Sequence, residues 1–162
     1  MIKELKDENS KLVPWKNGGG FTRELYRLPD PNNPDDFLLR ISKAHIPHNG
    51  PFSFFPGTDR LLLLLAGEGV NLHFKNHSLV LNKLHVPLSF SGEEEVQCEL
   101  IQNECIDFNI MTKSHWGYSE VNVYSLDDYK RLNFDHFELV FIYHLENEMV
   151  IIVKSHTLKH SF

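Results

Sequence analysis

Short stretches in which apolar and polar residues alternate dominate the chain, with turn residues between them at intervals of about 8–12 positions. Thr22 to Leu28 alternates loosely, with Phe21 and Leu25 as its larger apolar groups, and Phe37 to Ile46 resumes strand character. Val70, Leu72 and Phe74 alternate with Asn71 and His73; Leu79 to Val86 returns across a turn at Lys75 to His77. Val96 to Ile101 and Ile106 to Met111 are strand-like, and Phe137 to Leu145 with Met149 to Val153 forms a hairpin across Glu146-Asn147-Glu148. Leu61 to Leu65 is apolar without alternation, which predicts a strand covered on both faces. PDPNNPDD, Pro29 to Asp36, is predicted as a loop because its prolines and Asn/Asp cluster oppose regular structure. Ser125 to Leu132 predicts the one short helix, with Ser125 as N-cap and Asp128 where a capping box usually has Glu or Gln. The pattern is that of an all-β sandwich or barrel of about ten short strands, with no linker to divide residues 1–162.

Composition sharpens this. Twelve Phe among 162 residues, with Ala nearly absent, favours strands over helices. A net charge of −6 without a Lys/Arg cluster argues against a nucleic-acid surface. LLLLLA, the longest apolar run, is too short to span a bilayer, and the charged opening MIKELKDENSK predicts no secretory leader. Cys98 and Cys105 are the only cysteines, which fits reduced thiols and a cytoplasmic location.

The richest segment is NGPFSFFPGTDRLLLLLAGEG. A strand, a glycine turn and a second alternating strand suggest a cupin-like (RmlC-like) jelly-roll β-barrel. With the final glycine of the usual cupin metal motif set on Gly67, the Glu ligand position falls on Arg60. The His positions fall on Ser53 and Phe55, or on Phe54 and Pro56. None of these ligates a divalent metal as His or carboxylate would, so no metal and no cofactor are expected. Arg60 instead puts a permanent cation in the barrel mouth, where a guanidinium matches a carboxylate bidentately. Asp59 could orient Arg60 or bond another ligand group. Arg60 paired with Asp59 or Glu24 at the surface is the competing arrangement.

DFNIM, Asp107 to Met111, places Asp107, Asn109 and Met111 on one face and Phe108 and Ile110 on the other. The polar face lines a pocket or meets solvent; the pattern is the same in both cases. The His45/His48 and His73/His77 spacings give no same-face pair on a strand except through a turn. VPWKNGGGFTRELY, Val13 to Tyr26, is either a glycine-rich bend that packs Trp15 into the core or the lip of a site.

PWKNGGGFTREL, GPFSFFPGTDRLLLLLAGEG and DFNIM together resemble the HutD/Ves family, from about Val13 to Met111. The resemblance implies a cupin-type fold with two barrel-like halves, the second abbreviated here, and an association with histidine utilisation or stress response. It places the Trp15-Lys16-Asn17-Gly18 segment near a central pocket, with Thr22 and Glu24 looking inward. Ser53, Phe55, Asp59, Arg60, Asp107 and Asn109 complete the expected ligand-binding set. The implied guest is a small carboxylate metabolite such as urocanate or a formylated glutamate, held by a regulatory sensor or sink. The alternatives are an isomerase or hydrolase using Glu24 or Asp59 as base, and a partner-binding module with a vestigial pocket. No catalytic residue is assigned, no nucleic-acid or membrane partner is expected, and oligomeric state is left open.

Overall fold

The computed structural model describes residues 1–15 and 19–158. Fourteen strands and one α-helix are present among them, so the molecule is nearly all β. A central six-stranded sheet has the order β2 (Lys11–Pro14), β3 (Phe21–Asp30), β4 (Asn33–Ile46), β11 (Cys105–Lys113), β6 (Thr58–Ala66) and β9 (Leu88–Ser91). One face packs on a four-stranded sheet of β5 (Gly50–Pro51), β10 (Gln97–Leu100), β7 (Val70–His73) and β8 (Ser78–Leu81). These two sheets form the jelly-roll sandwich. The opposite face packs on β1 (Ile2–Leu5), β13 (Leu139–His144), β14 (Met149–Thr157) and β12 (Gly117–Ser125). The C-terminal half is thus one four-stranded sheet, completed by β1 in parallel with β13.

Having sheets on both sides explains the unbroken leucine run. Leu62 and Leu64 enter the sandwich core with Val70, Leu72 and Phe90, while Leu63 joins Phe108, Phe141 and Ile151 on the other side. Each fully buried Leu contributes on the order of 1.5–3 kcal/mol, so β6 belongs at the centre. On β11 the alternation resolves the same way. Phe108 and Ile110 fill the back core, and Asp107, Asn109 and Met111 face the sandwich interior.

PDPNNPDD is not a loop. Strands β3 and β4 continue through it to a two-residue turn at Pro31-Asn32, where the Asn32 N–H donates to Asp30 Oδ1 at 2.8 Å. Beyond Glu24 no described strand pairs with the outer side of β3, because β2 reaches only Phe21 to Glu24. A proline on such an edge removes no ladder hydrogen bond, and irregular register around Pro29 absorbs the rest. Local alternation does not show β1, β2, β5, β9 or β12, and it extends β8 too far. The chain turns at His85, whose φ is 64°.

The short helix α1 (Leu126–Tyr129) starts at Ser125. The Asp128 N–H donates to Ser125 Oγ at 3.1 Å, and that hydroxyl donates to Asp128 Oδ2 at 2.8 Å. Asp128 therefore closes the cap by meeting the Ser125 side chain. Ser125→Ala is expected to lower stability by about 1 kcal/mol, read as a shifted urea midpoint at unchanged slope.

A candidate anion cleft around Arg60

A cleft of about 500 Å³ opens where the central sheet meets the loop between β5 and β6. Its floor follows from strand pairing. Asp107 lies between Ala44 and Leu64, Asn109 between Ser42 and Leu62, and Met111 between Arg40 and Arg60. Side chains alternate, so Asp107, Asn109, Met111 and their cross-strand neighbours form successive rows on one face. Phe52 to Phe55 supply one wall.

Trp15 supplies another wall. Its backbone N–H donates to the Gly20 carbonyl at 2.9 Å, and its indole Nε1 donates to Thr22 Oγ1 at 2.8 Å. A Cβ at Gly20 would lie 2.9 Å from the His45 carbonyl and 3.1 Å from the indole ring, so this glycine lets the ring lie flat. Trp15 packs against the sandwich core and lines the cleft as well.

Arg60 is 4% exposed and its Nε has no hydrogen-bond partner among the described residues. Among the described residues no carboxylate lies within ion-pair distance of it. Its guanidinium carbon sits 5.2, 5.5 and 4.9 Å from the ring centres of Phe52, Phe55 and Phe90. Cation–π attraction offsets part of the desolvation and leaves Nε without an acceptor among the described residues. Burial pushes Arg60 down to about 10, opposed by the Asp107 charge and assisted by Arg40, so it stays a cation at neutral pH.

Asp107 and Asn109 are 3% and 6% exposed, and each has an Oδ1 without a partner among the described residues. Burial pushes the Asp107 carboxyl up to about 7, with Arg60 and the Ala44 backbone N–H holding the rise back. Cys105 and Cys98 are also buried near this end, and desolvation raises both thiols to about 12. They are neutral and inert as nucleophiles at physiological pH.

Of the expected ligand set, Trp15, Thr22, Ser53, Phe55, Arg60, Asp107 and Asn109 line the cleft. Lys16, Asn17 and Gly18 lie outside the described residues. Glu24 does not line it: its Oε2 accepts from Arg40 Nε at 2.7 Å and lies 3.6 Å from Arg27 Nη1. Asp59 points to the other face of β6, where Ser114 Oγ donates to its Oδ2 at 2.9 Å. Neither Glu24 nor Asp59 is placed to act as a base in the cleft, and neither pairs with Arg60. Arg40, Ser42 and Phe52 line the cleft and were missed. Arg40, Ser42 and Ala44 alternate against Leu39 and Ile41, so the signal was there.

His45 and His73 pair with Glu104 at 2.8 Å and Glu99 at 2.7 Å. Among the described residues no group of three or more His, Cys, Asp or Glu is arranged to hold a metal ion. No helix among them is long and apolar enough to cross a membrane.

Fold and cleft define a cupin-like jelly roll with a buried arginine in its cleft. The HutD family model matches residues 7–161, and the chain belongs to that family. It is 40% identical over 110 residues to Protein Ves of Citrobacter koseri, a match covering 67% of this chain and 56% of that protein. It is 37% identical over 113 residues to an uncharacterized 21.2 kDa protein in the hutC 3′ region of Pseudomonas putida, covering 66% and 56%. The matches thus span about half the length of these relatives. HutD from Pseudomonas fluorescens SBW25 has the same fold, with a TM-score of 0.72 over 95% of this chain and 97% of that one, at 21% identity.

Proposed function

We propose that the cleft binds a small carboxylate-bearing metabolite, with Arg60 as the anion anchor. The observation that carries this is a buried cleft-lining guanidinium whose Nε has no partner among the described residues. An isolated buried charge is costly unless something pairs with it, and a carboxylate offers the planar acceptor edge that a guanidinium lacks here. The cleft is within the usual 300–1,000 Å³ of small-molecule sites and combines aromatic walls with a few convergent polar groups. Within the cleft, Asp107 and Asn109 each hold a buried Oδ1 without a partner among the described residues, an acceptor suited to an N–H group of the guest. Urocanate and formylated glutamate, the metabolites suggested by the histidine-utilisation association, carry both a carboxylate and an N–H. Sensing or sequestering such a compound fits a site in which Glu24 and Asp59 are unavailable as bases.

One observation favours a second reading as an enzyme. A carboxyl raised to about 7 inside a cleft is poised for proton transfer, which makes Asp107 the candidate acid–base group. Thermal-shift measurements with imidazole and formyl or formimino acids, followed by product analysis, separate the two. Stabilisation without turnover supports the binding role, and turnover that Asp107→Asn abolishes supports the enzyme. No stabilisation by any of these acids counts against the carboxylate cleft.

A further inference from the structure

Arg40 and Arg60 flank Met111 in a single cross-strand row, Arg40 on β4 and Arg60 on β6. Two strand spacings put their Cα atoms about 9–10 Å apart. Both side chains line the cleft, both are largely shielded from water, and no acid stands between them. Glu24 accepts from Arg40 only at Nε, leaving its two terminal nitrogens without a hydrogen-bond partner among the described residues. Glu24 is also shared with Arg27, so one carboxylate serves two cations. This end of the cleft therefore holds more positive charge than its own acids balance.

We infer that Arg40 is a second anion-binding residue and that the row Arg40–Met111–Arg60 selects a short dicarboxylate over a monocarboxylate. The inference rests on the anion-cleft reading and narrows it. One carboxylate of the guest meets Arg60. The other meets the terminal nitrogens of Arg40, whose planar fork is held in place by the Glu24 bond at Nε. Met111 between them is an unbranched apolar side chain that adjusts to the methylenes joining the two acids.

Calorimetric titration with glutarate and its monoamide tests this in the parent, Arg40→Met, Glu24→Gln and Arg60→Ala. The parent is expected to bind glutarate at least about tenfold more tightly than the monoamide. Arg40→Met brings that ratio close to one. Glu24→Gln, which frees Arg40 from its counter-charge, raises glutarate affinity. Arg60→Ala weakens both probes. If Arg40→Met keeps the parent ratio, or Glu24→Gln leaves glutarate affinity unchanged, while Arg60→Ala still weakens binding, Arg40 is no part of the site and the Arg60 anchor stands. If Arg60→Ala binds both probes as the parent does, the anchor itself is wrong. Absence of glutarate binding to the parent contradicts the dicarboxylate assignment.

Discussion

Replacing Arg60 by alanine is expected to weaken binding of a carboxylate ligand by about ten- to more than hundredfold without unfolding the protein. A hydrogen bond to a charged group contributes roughly 1.5–3 kcal/mol, and about 1.4 kcal/mol is a factor of ten in affinity. Arg60→Lys should restore only part of the loss, since a point charge cannot reproduce the planar fork. The free protein should respond in the opposite sense. Arg60 lies among Phe52, Phe55 and Phe90 without an ion-pair partner among the described residues, so Arg60→Met removes a desolvated charge from an apolar setting. Its melting temperature is expected to equal or exceed that of the parent, because unpaired buried charge opposes folding. Lost affinity combined with retained or increased stability marks a residue kept for binding. A large drop in stability would mark Arg60 as structural instead.

Asp107→Asn carries the second large effect, and it depends on pH. The Asp107 carboxyl is raised from 3.8 to about 7 in the folded protein, chiefly by burial. Between these values the folded state holds a proton that the unfolded state has released. Stability from this group is therefore lost as pH rises from about 4 through about 7. The rise corresponds to at most about 4 kcal/mol at higher pH. Asparagine keeps the shape without the ionisation. The variant should match the parent near pH 4 and gain on it up to a plateau above neutrality. Neither cysteine complicates this window, since both thiols are raised to about 12. Urea unfolding of both proteins across the pH range checks it: a constant difference between them would show that Asp107 is already ionised and compensated.

Much of this site was legible because it rests on local periodicity. The two-residue alternation of DFNIM put Asp107 and Asn109 on one face, and the cupin spacing put Arg60 at a ligand position. The same alternation excludes Asp59, since a residue beside Arg60 on a strand must face the other way. Glu24 does share a face with Thr22, and its diversion depends on Arg40, brought beside it only when β3 pairs with β4. The stacking of Phe52 and Phe90 on Arg60 was illegible for a similar reason. Phe90 arrives on the edge strand β9 through long-range pairing, which no local pattern encodes. PDPNNPDD resembles a loop locally but runs as strand, because this stretch of β3 is an edge, and an edge is set by long-range pairing.

The central claim is that the cleft recognises negative charge through Arg60. Calorimetric titration of the parent with urocanate and N-formylglutamate, alongside the amides that neutralise their carboxylates, tests it most directly. The account predicts that at least one acid binds at least about tenfold more tightly than its neutral amide, with the advantage lost in Arg60→Ala. Equal binding of acid and amide, or no binding of either acid, would contradict it.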